Sequence, residues 1–268
     1  MNKTLMALSI IGLATMGCSS EHEASDADQP HKASMEKHDD GHSHAVHWSY
    51  KGEGEPGKWG SLKSEYATCG TGKEQSPIDI ASEGAKTGPA APIEFNYGKS
   101  TLNIVNNGHT IQVNYDAGST ATIRGKKYDL LQFHFHSPSE HMIDGKPANL
   151  VAHLVHKAED GQLAVVGVLF NKGTENAALQ AIWDKMPISE GKVSDAAEID
   201  VNAFLPEDKS YFHYMGSLTT PPCSENVNWN VMKNPVSVSD AQTNAFAAIF
   251  PLSVRPVQPL NTREVAAM

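Results

Sequence analysis

Hydrophobic and polar residues alternate in short runs along most of the chain, the spacing expected of β-strands with two different faces. Seven runs predict strands, at 102–105, 111–115, 121–123, 130–136, 150–157, 163–170 and 226–232. Dipeptides such as Asn107-Gly108, Asp144-Gly145 and Asp160-Gly161 separate them and favour tight turns. Helical spacing is confined to 177–186 and 240–250, the second opened by a cap at Ser239/Asp240. The pattern predicts one mainly β domain with a few short helices and no internal repeat.

The first 45 residues differ from the rest in composition. Met1-Asn2-Lys3 precedes a hydrophobic run from Leu5 to Met16 that is too short to span a bilayer, which predicts a signal peptide over 1–17. Residues 18–45 are polar, acidic and rich in histidine, with almost no large apolar side chains, so we expect a disordered tether. The folded domain is then expected to span 46–268.

Gly17-Cys18-Ser19-Ser20 resembles a bacterial lipoprotein cleavage site, in which Cys18 becomes the lipidated first residue. Thr15 departs from this pattern, which usually has Leu at that position. The expected location is therefore the periplasm or the cell surface, with membrane attachment only through Cys18. An ordinary cleaved signal peptide with an incidental cysteine is the alternative.

The tether contains five histidines and adjoins a sixth at the domain edge, which are His22, His31, His38, His42, His44 and His47. We interpret this segment as a solvated spacer. Loose binding of zinc by the tether is the alternative that the sequence leaves open.

Charge and cysteine content narrow the possible partners and the compartment. The 268-residue chain has a formal net charge of -10, so it repels nucleic acid phosphates and no nucleic acid partner is expected. If Cys18 carries the anchor, Cys69 and Cys223 remain as one disulfide pair in an oxidising compartment. Two buried free thiols are the alternative. The oligomeric state stays open, and a homodimer is compatible with the sequence.

The strongest candidate for chemistry is Gln132-Phe133-His134-Phe135-His136, followed by His153. Side chains on a strand alternate between faces, so His134 and His136 project together. A second strand, reached through the turn after Asp144, can run antiparallel and bring His153 to the same pocket. Three imidazoles leave a fourth tetrahedral position free, as a catalytic zinc requires. The alternative is three unrelated structural histidines.

Several separated segments resemble the α-class carbonic anhydrases, in particular their exported bacterial branch. These segments are Gln75-Ser76-Pro77-Ile78-Asp79-Ile80, Asn107-Gly108-His109, 132–136, Ser139-Glu140-His141, His153-Leu154-Val155-His156 and Ser217-Leu218-Thr219-Thr220-Pro221-Pro222-Cys223. The resemblance extends from His47 to Leu260. It implies a large, mostly antiparallel twisted central sheet with short peripheral helices.

The resemblance also implies an activity, a cofactor and residue roles. His134, His136 and His153 would hold Zn2+, and zinc-bound hydroxide would attack CO2 to give bicarbonate and a proton. Zinc lowers the pKa of bound water from about 15.7 to about 7, an effect for which carbonic anhydrase is the standard example. Thr219, donating its proton to Glu140, would orient the hydroxide, and His109 would be the proton shuttle.

The same resemblance assigns the residues expected to contact the small substrate. The apolar wall for CO2 comprises Val155, Val165, Leu218, Val227 and Trp229. Gln132, Thr219 and Thr220 form the more polar side, and core packing is the alternative role for the apolar members.

One position departs from the family pattern. The family usually has Glu two residues before its third zinc histidine, where the carboxylate fixes that imidazole from behind, but here the residue is Val151. Valine cannot accept a ring N–H, and loss of such a partner typically costs about 10–100-fold in metal affinity or activity.

Two other functions compete with this interpretation. His134-x-His136-x-x-x-Glu140 also resembles the first motif of cupin-like metal enzymes, in which Glu is a direct ligand, although no second cupin motif follows around His153. A lipid-tethered zinc-binding or adhesion module on the same scaffold is the non-enzymatic alternative. Retention of the three histidines together with Thr219 and His109 favours the enzyme.

Overall fold

The structure is a computed structural model that describes residues 46–88 and 91–268. The predicted signal peptide, the lipidation site and the tether lie outside the described residues. Within the described residues, no helix has the length and apolar character needed to cross a membrane.

Strands dominate the described part of the chain. They are β1 (Asp79–Ile80), β2 (Lys86–Thr87), β3 (Glu94–Asn96), β4 (Ser100–Asn106), β5 (Ile111–Asn114), β6 (Thr120–Ile123), β7 (Lys126–His136), β8 (Met142–Ile143), β9 (Lys146–Pro147), β10 (Leu150–Lys157), β11 (Leu163–Lys172), β12 (Gly191–Ile199), β13 (Tyr211–Ser217), β14 (Glu225–Met232), β15 (Val236–Val238) and β16 (Ala266–Ala267). Each of the seven predicted strands is present.

The helices are short. The α-helices of the described residues are α1 (Trp59–Leu62), α2 (Thr68–Thr71), α3 (Ala177–Trp183) and α4 (Asp240–Ile249), and the 3-10 turns are Gly52–Gly54, Pro56–Lys58, Ser64–Tyr66, Ser82–Gly84 and Val201–Phe204. The cap predicted for α4 is confirmed as a capping box, in which Ser239 and Gln242 satisfy each other's backbone N–H groups. Helix α3 ends three residues earlier than predicted.

Thirteen strands form one mixed sheet, and the predicted mainly β, mostly antiparallel class is confirmed. The sheet order is β12-β4-β5-β7-β10-β11-β14-β13-β16-β2, with β15 beside β11 and with β6 joining β3 to β7. The parallel pairs are β11 with β14, β11 with β15, and β16 with β2. A separate small sheet contains β1, β8 and β9.

Two long strands escaped prediction for opposite reasons. Strand β12 is exposed along most of its length, so few apolar residues mark it. Strand β13 is buried on both faces and pairs with β14 and β16, so its sequence does not alternate. Alternation is the signal of a strand with one buried face, and neither β12 nor β13 has it.

The two faces of the sheet bury different apolar clusters. Phe133, Phe135 and Leu154 belong to the larger core on one face. Val151 and Trp229 belong to a second cluster on the opposite face. The even and odd positions of β7 and β10 therefore enter different environments, and His134, His136 and His153 share the face of the second cluster.

A third cluster secures the N-terminal segment of the domain. The predicted Cys69–Cys223 disulfide is confirmed, with the two Cα atoms 5.0 Å apart. Both cysteines are buried beside Trp59 and Tyr50. Arg255 donates from its guanidinium to the Cys69 carbonyl (3.0 Å) and packs over the Trp59 ring, so this cluster is also tied to the C-terminal segment.

Candidate metal centre

Antiparallel pairing of β7 with β10 brings three histidines together. The register places His153 directly opposite His134, and strand alternation adds His136 to the same face. The ring centroids are 5.2 Å apart for His134 and His136, 5.3 Å for His134 and His153, and 4.9 Å for His136 and His153. One nitrogen from each ring lies within 4.8 Å of the others. Three imidazole ligands therefore converge on one point.

Acceptors behind the rings fix which nitrogen of the first two histidines faces this point. His134 Nδ1 donates to Gln132 Oε1 over 2.9 Å, and His136 Nδ1 donates to the Ser253 carbonyl over 2.5 Å. Each Nε2 then carries the free lone pair that a metal requires. His136 Nε2 is buried and has no hydrogen-bond partner in residues 46–88 and 91–268.

His153 is held differently. Its Nδ1 lies 3.9 Å from Glu140 Oε2, and the same oxygen lies 3.6 Å from His136 Nε2. Nδ1 is therefore the nitrogen of His153 that faces the other two rings. Its Nε2 is buried and has no hydrogen-bond partner among the described residues. Val151, two residues earlier on the same face, provides no acceptor. Among the described residues, no acceptor therefore replaces the glutamate that the family resemblance implies at this position.

The chemistry of the three side chains fits zinc. Burial lowers the pKa of His134 to about 3, and the neighbouring His136 contributes in the same direction. Burial also holds the pKa of His153 well below its ordinary value. Both rings are consequently neutral at pH 7, the form that binds a metal. A set of three imidazoles is the ligand set of a catalytic zinc site.

Glu140 lies beside the ligands but is not grouped with them. Its Oε1 accepts from the backbone N–H of Arg255 over 2.9 Å. Its Oε2 is buried and has no hydrogen-bond partner within the part of the chain that the structure describes. The metal-ligating group within 4.8 Å contains only the three histidines among the described residues, whereas a cupin-like site would add Glu140 as a fourth ligand.

Thr219 and Thr220 lie in the turn that follows β13. The turn is closed by the Cys223 N–H, which donates to the Thr220 carbonyl over 2.9 Å. Thr219 is buried, and no hydrogen bond joins it to Glu140 in the described part of the chain.

An apolar surface adjoins the histidines on the same face of the sheet. Its members are Val155, Val165, Val227 and Trp229, with Leu218 packed against them. The Trp229 ring lies 4.9 Å from the His153 ring, and its indole N–H donates to the Ser217 carbonyl over 2.8 Å. Gln132, predicted as a polar contact to substrate, is the acceptor for His134.

His109 lies in the turn between β4 and β5. Gly108 has a φ of +83° there, and Asn107 Oδ1 accepts from the His109 N–H over 3.0 Å. The imidazole stacks on Trp48 with 3.8 Å between ring centroids, and His47 lies 5.4 Å away. Partial burial and then the His47 charge lower the pKa of His109, while Glu190 opposes them.

The two remaining histidines of the motifs have separate environments. His156 lies on the opposite face, where Nε2 bonds to the Tyr97 hydroxyl over 2.7 Å and burial lowers its pKa to about 4. His141 lies on the site's side, with its ring 6.1 Å from that of His153 and its Nε2 2.6 Å from the Tyr214 hydroxyl.

Two residues that complete the site were not assigned a role from the sequence. Ser253 contributes a carbonyl to His136 and Arg255 contributes an N–H to Glu140. Both residues use backbone atoms, which every residue type has, so the sequence does not mark them as part of the site. The extension of the family resemblance to Leu260 was the available indication that this segment reaches the site.

Comparisons with known proteins agree with this geometry. A family model described as eukaryotic-type carbonic anhydrase matches residues 54–268. A carbonic anhydrase of Klebsiella pneumoniae is 46% identical over 225 residues, 82% of this chain and 91% of that protein. One from Nostoc sp. is 44% identical over 225 residues, covering 82% and 85%. The α-carbonic anhydrase of Thermovibrio ammonificans, solved with the inhibitor sulfanilamide, is 45% identical with a TM-score of 0.80, covering 82% of this chain and 98% of that one.

The different positions of His136 and Glu140 predict different effects on metal content. We expect Glu140→Gln to keep its zinc affinity within about 100-fold of the wild type, because it removes only an outer group. His136→Ala should lose affinity more severely, because it removes a ligand. Competition against a chelator of known affinity, followed by metal analysis, measures both. An equal loss in the two variants would make Glu140 a ligand and contradict the assignment.

Proposed function

The chain belongs to the eukaryotic-type, α-class carbonic anhydrase family, and we infer that it is a zinc-dependent carbonate dehydratase. Such a lyase hydrates CO2 reversibly to bicarbonate and a proton. The observation that carries this conclusion is the convergence of three imidazoles within 4.8 Å beside an apolar surface.

His134, His136 and His153 would hold the zinc through Nε2, Nε2 and Nδ1. When bound, zinc supplies Lewis-acid chemistry that makes water a nucleophile near neutral pH, the effect for which carbonic anhydrase is the standard example. Gln132 and Ser253 support this role by keeping the His134 and His136 rings in one tautomer and one orientation.

We propose that CO2 occupies the apolar surface formed by Val155, Val165, Leu218, Val227 and Trp229. CO2 has no net charge and little to gain from ionic side chains, so an apolar wall suits it. The wall also excludes water on one side of the reacting atoms, so that CO2 does not compete with water for that place. Thr220 is proposed to line the polar side.

Glu140 and Thr219 are proposed to orient the attacking water. Glu140 Oε2 is a buried acceptor without a donor, and Thr219 is a buried hydroxyl in the adjoining turn. A hydroxyl has one proton, so if Thr219 donates it to Glu140, its oxygen can only accept from the water. The water lone pairs then point to the substrate carbon.

His109 is proposed to transfer the product proton to solvent. Its ring is half-buried on Trp48 at the edge of the domain, and the lowered pKa keeps it neutral at pH 7 and able to accept a proton. Because the pKa of His109 is lowered, the neutral imidazole that accepts protons is still present below pH 6.5. It is lost as the pH falls through that lowered pKa.

Export through a signal peptide and lipid attachment at Cys18 are also proposed, which would make the protein a periplasmic or surface lipoprotein. The support is the sequence of the leader together with the Cys69–Cys223 disulfide, a bond that persists in oxidising compartments. Residues 18–45 would tether the domain of 46–268 to the membrane.

A stopped-flow assay of CO2 hydration tests the activity directly. The zinc-loaded full chain should accelerate hydration, chelation should abolish the acceleration, and added zinc should restore it. A variant that lacks 18–45 should remain fully active, which separates an enzyme from a zinc scavenger that depends on its histidine-rich tether. Stoichiometric zinc without hydratase activity would refute the proposed function.

Replacing the proposed shuttle gives a second prediction. His109→Ala should slow hydration in weakly buffered solution by roughly ten- to a hundredfold, because proton export becomes limiting. Imidazole added as an external proton acceptor should restore the rate, with zinc content unchanged throughout. A loss that imidazole does not relieve would show that His109 acts through structure instead.

Lipid attachment has its own test. In a bacterial host, the wild type should fractionate with membranes and incorporate labelled palmitate, whereas Cys18→Ser should be released and unlabelled. The substitution leaves Cys69 and Cys223 intact, so hydratase activity should be retained. A soluble, unlabelled wild type would rule out the anchor.

A further inference from the structure

The three histidines of the metal centre are not equally supported, and the difference is confined to His153. In His134 and His136 the ring nitrogen that faces away from the centre donates to an oxygen, at 2.9 Å and 2.5 Å. In His153 the corresponding nitrogen, Nε2, is buried without a partner. A buried N–H that lacks an acceptor forfeits its hydration without compensation, and its ring has no hydrogen bond to fix its orientation.

The surroundings of His153 explain why no acceptor is present. Val151 is 1% exposed and belongs to the apolar cluster on the same face. Trp229 packs against the His153 ring with 4.9 Å between centroids. The indole N–H of Trp229 is a donor and is engaged with the Ser217 carbonyl. Gly167, paired with His153 across β10 and β11, has no side chain to contribute. Each of these neighbours presents carbon to the imidazole.

His141 does not compensate for this. Its ring lies 6.1 Å from that of His153, and no hydrogen bond joins the two among the described residues. His141 Nε2 is engaged with the Tyr214 hydroxyl over 2.6 Å, while its Nδ1 is itself buried without a partner. Two unpartnered imidazole nitrogens thus occur in one buried cluster, which marks a local deficit of acceptors.

We propose that Val151 leaves the third zinc ligand without an outer acceptor, so that packing alone orients His153 and the protein releases zinc faster than the same protein with an acceptor at that position. The inference rests on the proposed function, because it takes His153 to be a zinc ligand. An acceptor would raise the basicity of His153 and hold its ring in place, which strengthens the metal–ligand contact.

The experiment compares zinc release from the loaded full-length protein and from two variants at position 151. Val151→Glu adds a carboxylate acceptor, and Val151→Met adds a side chain of similar length without one. Zinc transfer to excess chelator, followed by metal analysis over time, should be roughly 10–100-fold slower for Val151→Glu and unchanged for Val151→Met. This measurement does not depend on catalytic turnover.

A second pair of variants keeps the test decisive if Val151→Glu fails to fold, which circular dichroism would reveal. A Cβ at Gly167 would lie 3.9 Å from His153 Cδ2, in ordinary contact, and Cδ2 adjoins Nε2 in the ring. Gly167→Ser thus places a hydroxyl acceptor near Nε2, and Gly167→Ala is its matched control. We expect zinc release from Gly167→Ser to be roughly tenfold slower than from Gly167→Ala.

The outcomes separate this inference from the proposed function. Slower release from the acceptor variants than from their controls supports it. Equal release within each pair of folded variants overturns it, even if the wild type is an active zinc enzyme. A wild type that binds no zinc would instead refute the proposed function on which the inference rests.

Discussion

The register between β7 and β10 is the constraint on which the site depends. Pairing His134 with His153 places three imidazoles on one face and sends Phe133 and Phe135 into the core on the other. A slip of β7 by one residue would turn His134 and His136 to the core face, away from His153, and would remove Phe133 and Phe135 from the core. The free energy of the hydrophobic core therefore also brings the three histidines together, while Gln132 and Ser253 orient two of the rings.

Burial of the ligands has a second consequence, which is their charge state. Removing the rings from water disfavours protonation, so the pKa of His134 falls to about 3 and that of His153 falls well below its ordinary value. His134 and His153 are then ready to bind a cation at neutral pH without first losing protons. The cost falls on His153, whose Nε2 is buried without a partner among the described residues.

Arg255 links the metal centre to segments that are distant in sequence. Its backbone N–H binds Glu140, while its guanidinium binds the Gln75 side chain, the Ser76 carbonyl and the Cys69 carbonyl. Cys69 is in turn bonded to Cys223, in the turn that contains Thr219. The residues proposed to orient the attacking water are thus tied to one buried cation, whose pKa burial lowers to about 10. The outer part of the site depends on chain segments from both ends of the domain.

The sequence alone determined the features that follow from local alternation and from residue type. These include the mainly β class, seven of the strands, the cap at Ser239 and the common face of His134 and His136. The position of His153 beside them required only the assumption of a hairpin-like return. Strands β12 and β13 were missed because one is largely exposed and the other is buried on both faces, so neither alternates.

Tertiary structure decided which groups surround the ligands. The Ser253 carbonyl reaches His136 across 117 residues, and Glu140 meets the Arg255 N–H across 115. The sequence showed that Val151 lacks a carboxylate, but only the fold showed that Trp229 and Gly167 leave His153 Nε2 without a substitute. Such contacts depend on where distant backbone atoms come to rest, and every residue carries the same N–H and C=O groups, so composition and spacing contain no record of them.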